Sequence, residues 1–195
     1  MNEWLGLQRQ WMYLEPIFSS ADINRQLPTE GRRFASVNKG WKHITRSVVR
    51  DPKAIHLCYN ELLDKLRHHI KSLELVQKNL SAYLETKRRT FARFYFLADE
   101  DLIQILSQTK DPKAVQSHLG KCFEAIAQLG FVEVKKVDQR KKNNLFIVSM
   151  RSAQGEEMTL SERVETSGNV ECWLGDPDLN LDLMRVWTSS SVIMS

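Results

Sequence analysis

Apolar positions recur at helical spacing from the start of the chain to about residue 130, and the period shortens after that. Residues 2–18 predict a helix, because Trp4, Leu5, Gln8, Trp11, Met12 and Glu15 fall at steps of three and four, with Pro16 breaking or ending the pattern. "SSADINRQL" predicts a short second helix. Pro28 precedes a stretch at about 29–50 whose one side carries Phe34, Val37, Trp41, Ile44 and Val48. Asp51-Pro52 predicts a stop and restart, with Asp as cap and Pro at the first helical position.

The longest periodic segment follows. Tyr59, Leu62, Leu66, His69, Leu73, Val76, Leu80 and Tyr83 alternate steps of three and four, and Leu63, Ile70 and Leu84 widen the stripe. No Pro or Gly interrupts it, so it predicts a helix of about 30 residues, roughly 45 Å long. A stripe that wide packs into a bundle rather than a two-stranded coiled coil. "LADEDLIQIL" predicts a fresh helix with Asp99 as N-cap. "TKDPKAVQSHLGKCFEAIAQLG" predicts another, with Asp111 as cap, Val115, Leu119, Cys122, Ile126 and Leu129 inward, and Gly130 as its stop.

Beyond Gly130, "FVEVKKV", "LFIVSM" and "EEMTLSERV" are short, β-branched and aromatic, and predict a small antiparallel sheet near residues 131–164. "RSAQGE" predicts its hairpin loop, with Gly155 at positive φ. "NVECWL" predicts a further helical turn, and the run from Gly175 is turn-rich and poorly patterned. The expected fold is mainly α, an elongated helical bundle with a small β element. The expected division is 1–130 for the bundle, 131–168 for the β element and 169–195 for a short helix and tail.

Composition narrows the chemistry. The chain has 195 residues, 42% hydrophobic and 27% charged, as a folded protein with a real core requires. No apolar run approaches the roughly 20 residues that cross a bilayer, so no membrane partner is expected. "MNEWLGLQRQ" lacks the basic-then-apolar order of a signal peptide, so secretion is not expected. Three scattered cysteines, Cys58, Cys122 and Cys172, fit reduced thiols in the cytosol. The formal net charge of +4 is mild, and the cations are scattered apart from Lys87–Arg89 and Lys135–Asn144. That is weak support for nucleic-acid binding, which concentrates cations on one face.

Among the eight glycines there is no GxxxxGK[ST] or GxGxxG pattern to cradle a phosphate. HExxH, CxxC and EF-hand patterns are absent. His118 and Cys122 stand four apart on one predicted helix, as two metal ligands would, but Cys122 lies on the apolar stripe and reads as a buried thiol. His68 and His69 face different sides of their helix, and His69 reads as a core-edge imidazole. No catalytic residue, cofactor or metal ligand set is expected.

What stands out is ring density at two places, "WMYLEPIF" and "FARFYF". The second lies between the cations Lys87, Arg88 and Arg89 and the acids Asp99, Glu100 and Asp101. The candidate structural or interaction residues are Trp11, Glu15, Phe18, Phe91, Arg93, Phe94, Tyr95 and Phe96. Rings at helix ends usually fill joints. A nucleic-acid stacking platform instead alternates its rings on adjacent strands. Phe94 and Phe96 are expected in the core, and Lys87, Arg88, Arg89 and Arg93 outside.

Five blocks carry a resemblance: Gln8–Pro28, Tyr83–Pro112, Val115–Ile126, Ser149–Leu160 and Asn169–Leu174. Together, in order and spacing, they resemble the linker region of dynein heavy chains, nearest to the axonemal branch. The likeness runs from Trp4 to Leu174. It departs at Ala92, where the family's FPRF block has Pro; the change relaxes the chain direction there and leaves the long helix free to run further. It also departs after Leu174, where the family continues into more linker and an AAA+ ring, so a truncated or alternatively ended chain is expected. The resemblance implies a non-catalytic lever whose partners are the AAA+ ring, the remaining linker and dynein subunits. It implies a setting in the cytoplasm and cytoskeleton, at the axoneme of a cilium or flagellum. A stand-alone helical scaffold or adaptor is the second reading, and a basic nucleic-acid module the third.

Overall fold

The computed structural model describes residues 2–50, 60–107, 112–123, 126–134 and 144–166, with Val170, Leu174, Gly175 and Leu179. The chain forms two compact units, Met1–Leu84 and Glu85–Ser195. The architecture is mainly α with one three-stranded antiparallel sheet.

The first unit holds α1 (Asn2–Ser19), α2 (Ala21–Gln26), α3 (Pro28–Arg50) and most of α4 (Asn60–Thr90). Pro16 does not end α1; the helix runs on to Ser19. Pro16 and Met12 are both exposed, so the Met12 carbonyl left without an amide partner faces the solvent side. Leu14, Ile17 and Phe18 on the opposite side are buried and hold the turn in place. Asn24 on α2 then ties the corner, donating from Nδ2 to the carbonyls of Phe18 (2.6 Å) and Ser20 (2.8 Å). Gly31 on α3 leaves the space that the Asn24 amide fills.

The predicted face of α3 is the buried one: Phe34, Val37, Trp41 and Ile44 are covered, and Val48 is half-buried. α1 lies against it in antiparallel order. Phe18 stacks on Phe34 with centroids 5.3 Å apart, Trp11 donates from Nε1 to Asn38 at 3.1 Å, and Trp4 meets Trp41 at 4.6 Å. α4 also runs antiparallel to α3. Asn79 Nδ2 donates to the buried Glu30 carboxylate at 2.8 Å, and ten residues further along α3, Gly40 meets His69. On α4, Leu66, Leu73, Val76, Leu80 and Leu84 are buried as the stripe predicts, whereas Leu63 stands 37% exposed. Leu63 lies at the stripe's edge. The Asp51-Pro52 restart and Tyr59 lie outside the described residues.

The second unit begins with the last turn of α4. It continues through a 3-10 turn (Ala92–Phe96), α5 (Asp99–Ser107), a second 3-10 turn (Pro112–Val115) and α6 (Gln116–Cys122). Three expectations need correction here. Asp99 is not the cap of α5 but its first residue; the carbonyl of Ala98 accepts the first bond, from Leu102 at 3.1 Å. α6 stops at Cys122, where Phe123 turns extended, so Gly130 is no helix stop. Gly130 lies instead in β1 (Gln128–Val134), opposite Ser149 of β2 (Asn144–Arg151). A Cβ at Gly130 would collide with Ser149 Oγ, and the β1–β2 register shifts at this point. The glycine thus serves a close strand approach. The inward positions Val115, Leu119, Cys122, Ile126 and Leu129 are nonetheless all buried.

β2 pairs next with β3 (Glu157–Glu165), giving the order β1-β2-β3. The connecting loop turns at Gly155, whose φ is +90°, as the hairpin requires. Ser149 Oγ and Arg151 both donate to Glu157, at 2.9 Å each. The Arg151 guanidinium, then Ser149, hold that carboxyl below the usual carboxylate range. Asp111 and most of "NVECWL" lie outside the described residues, though Val170 and Leu174 are helical and buried.

Two outcomes follow from the α3–α4 contact. A Cβ at Gly40 would stand 2.6 Å from His69 Nε2, so Gly40→Val is expected to lower stability by about 1–3 kcal/mol in urea denaturation. Burial, and after it the neighbouring His68, lowers the His69 pKa. The unfolded chain therefore binds the proton more readily, and stability falls as pH drops through the ordinary histidine range. Melting at pH 7.5 and 5.5 measures this, and His69→Gln should reduce the difference.

Candidate functional site

The densest group of candidate residues lies where α4 ends in the second unit. α4 stops at Thr90 and does not run on, although Ala92 would allow it. Phe91 adopts an extended conformation (φ −133°, ψ 99°), and its ring is buried against Phe94 and Phe123. Continuing the helix would swing that ring off its neighbours, so burial of Phe91 ends the helix in place of proline. Phe91 and Phe94 meet edge to face at 4.9 Å, and Phe94 has no exposed surface.

The cations do not all stay outside. Arg88 is half-buried; its Nη2 donates to Asp99 Oδ1 at 2.7 Å and to the Leu97 carbonyl at 3.0 Å. Its Nε also reaches the Phe94 carbonyl, at 3.4 Å. One guanidinium therefore closes the chain reversal from α4 into α5. Arg93 lies 4.7 Å over the Phe123 ring and donates to the Cys122 carbonyl at 3.2 Å. Arg89 is exposed and pairs with Glu85.

Phe96 is the clearest reversal. It is 72% exposed rather than buried, and Tyr95 is 55% exposed. In a 3-10 turn side chains three apart eclipse, so Phe91 and Phe94 share the inner side and the ring at position 96 is left facing solvent. The Tyr95 hydroxyl donates to Glu85 Oε1 at 2.8 Å, which holds it by the last turn of α4 and raises its pKa.

Trp11, Glu15 and Phe18 belong to the first unit; Trp11 and Phe18 form part of the α1–α3 contact, and Glu15 bonds within α1. Trp11 approaches Trp41 at 6.5 Å. Phe18 is buried, and the Glu15 carbonyl accepts from Ser19 Oγ at 2.8 Å. Trp11 and Phe18 thus build helix packing.

A polar group near the joint escaped the sequence reading. Asp101 accepts from Lys121 at 2.7 Å and stands 3.5 Å from His118 Nδ1. The Lys121 bond, with smaller help from His118, holds its carboxyl below the usual range. Phe123 and the Arg88–Asp99 pair were also missed. Phe123 lies off the stripe of an uninterrupted helix, and only the early stop of α6 turns it inward. Cys122, four residues from His118, is a free buried thiol whose pKa burial pushes up to about 11 despite nearby Arg93. It stays protonated at neutral pH and serves as packing. Among the described residues no group of three or more His, Cys, Asp or Glu is placed to hold a metal ion, and no helix is long and apolar enough to cross a membrane.

Two measurements check this geometry. Phe94→Ala is expected to cost about 3–5 kcal/mol of stability, and Phe96→Ala to stay within about 0.5 kcal/mol. At pH 8, iodoacetamide labelling read by peptide mass spectrometry should leave Cys122 unmodified until the chain is denatured.

Comparison with known proteins then gives the family. Residues 1–181 match the family described as dynein heavy chain, N-terminal region 2. The chain is 52% identical over 175 residues to dynein axonemal heavy chain 1 of Rattus norvegicus, covering 89% of this chain and 4% of that one. With dynein axonemal heavy chain 1 of Homo sapiens the identity is 50% over 182 residues, covering 93% and 4%. With dynein axonemal heavy chain 12 of Homo sapiens it is 45% over 178 residues, covering 89% and 5%. The chain thus spans about one twentieth or less of the length of these relatives. An aromatic joint closed by one arginine, at the end of a long uninterrupted helix, is therefore a feature of a chain that belongs to the dynein heavy chain N-terminal region 2 family.

Proposed function

We propose that this chain is a non-catalytic segment of a dynein heavy-chain linker, the lever that couples the nucleotide state of an AAA+ ring to movement along microtubules. The observation that carries the reading is the family match through residues 1–181. The relatives are axonemal by name, which assigns the chain to the cytoskeleton, at the axoneme of a cilium or flagellum. Its partners in this reading are the AAA+ ring, the remaining linker and the other dynein subunits.

The architecture supports a mechanical role. A lever transmits force when it is stiff within a segment and bends at few places, because packed helices do not deform continuously. α4 runs 31 residues without Pro or Gly and ends in a joint of buried rings. The sequence has no phosphate loop, so nucleotide hydrolysis is left to the ring. Phe91, Arg93, Phe94, Trp11, Glu15 and Phe18 have structural roles in this reading. Tyr95 and Phe96, which stand exposed, are the residues for contact with the rest of the motor.

The test is binding of the purified chain to a dynein AAA+ ring whose own linker has been deleted, in ADP and in an ATP-like state. Circular dichroism checks folding. Saturable binding that differs between the two states is expected, and Phe96→Ala should weaken it about tenfold. A folded chain that binds in neither state overturns the reading in favour of a stand-alone scaffold.

A further inference from the structure

The joint accounts for Arg88, Arg89 and Phe91 as packing and pairing, but not for a threonine set between two upstream cations and a ring, in the run Lys87-Arg88-Arg89-Thr90-Phe91. Cations in the last turn of a helix complement its dipole, but that role fits any basic residue and takes no account of Thr90. Lys87 and Arg88 stand three and two residues before Thr90, and a large apolar ring follows it at once. A protein kinase whose peptide cleft is lined with carboxylates reads this pattern: two upstream cations and a downstream apolar anchor around a hydroxyl. We propose that Thr90 is the acceptor site of such a basic-motif serine/threonine kinase, and that the Arg88–Asp99 latch gates access to it.

The site is half presented. Thr90 is exposed, is the last residue of α4, and its Oγ1 donates to the Thr86 carbonyl at 3.1 Å. Arg89 beside it is 76% exposed along its side chain. The two recognition elements that matter most are withheld. Arg88 is only 16% exposed and is held by Asp99 and by the carbonyls of Leu97 and Phe94. Phe91 is buried, and its amide closes the last helical turn onto Lys87 at 3.1 Å. A kinase takes its substrate extended, so that turn has to unwind and Arg88 has to leave Asp99 before the cleft can close on the segment.

The transfer itself is ordinary. Thr90 Oγ1 attacks the γ-phosphorus of ATP, the new O–P bond forms, and the bond from that phosphorus to the β-phosphate oxygen breaks. ADP departs, and the hydroxyl proton passes to a carboxylate of the kinase. The product carries close to two negative charges at the C-terminal end of α4, where carbonyl groups already hold partial negative charge. The Thr86 carbonyl also loses the Thr90 hydroxyl as one of its donors. Both effects favour the open turn, so the modification holds open the joint that had to open for it to occur.

The experiment incubates the full chain with ATP and the catalytic subunit of a cyclic-AMP-dependent kinase, and follows phosphate on Thr90 by mass spectrometry. A synthetic peptide of residues 84–97 is the ungated reference, and Thr90→Val is the blank. The peptide should be modified rapidly and the folded chain slowly. Asp99→Asn should speed the folded chain about tenfold, the size expected on losing a charge-assisted hydrogen bond, and Arg88→Ala should abolish the gain. Absence of phosphate on the peptide overturns the acceptor assignment. A wild-type chain modified as fast as the peptide, or a folded Asp99→Asn chain no faster than wild type, overturns the gate. The wild-type-to-peptide comparison needs no variant, so it stands even where Asp99→Asn fails to fold.

Discussion

The guanidinium of Arg88 carries more of this structure than its size suggests. Where α4 ends, the carbonyls of Phe94 and Leu97 point back toward the helix, and the Asp99 carboxylate arrives from the next one. Each is a hydrogen-bond acceptor, and acceptors brought together repel unless a donor lies among them. A planar fork with five N–H groups meets that need, and a lysine would not. Once the reversal is closed, Phe91 and Phe94 are fixed edge to face, and Phe123 is brought against Phe91 and under Arg93. The early stop of α6 is what lets Phe123 join them, and the exposure of Phe96 follows from the side of the turn that Phe91 and Phe94 occupy.

The first unit rests on a different constraint, the close approach of antiparallel helices. Gly40 has no side chain, so the His69 imidazole occupies the place a Cβ would take. At the other end of the same interface, Asn79 satisfies the buried Glu30 carboxylate. A steric fit at one end, a polar contact at the other and an apolar stripe between them fix the register of α3 on α4, because sliding by one turn would strand Glu30 without its Asn79 donor.

Much of the fold was legible because periodicity reports burial directly. The faces of α3 and α4, the three strands and the positive φ of Gly155 all came from spacing and turn chemistry. What was not legible depends on contacts distant in sequence. Pro16 within α1 reads as a stop unless one knows that its orphaned acceptor meets solvent. Gly130 reads as a helix stop unless Ser149 is known to face it. Phe96 looks as buried as Phe94, since ring chemistry alone does not say which side of a 3-10 turn faces inward. The paired role of Arg88 was hidden for a similar reason: its acceptors include two backbone carbonyls, and a sequence does not mark which carbonyls lack partners.

The indole contacts of the first unit have an optical consequence. Trp4 and Trp41 lie with ring centroids 4.6 Å apart and planes tilted by 55°, and Trp11 stands 6.5 Å from Trp41. At such separations the electronic transitions of neighbouring rings couple, and a chiral arrangement of coupled dipoles gives paired circular-dichroism bands of opposite sign. α1 docked on α3 thus carries its own spectroscopic label. The label disappears when those two helices part, whatever becomes of the helical content of either one.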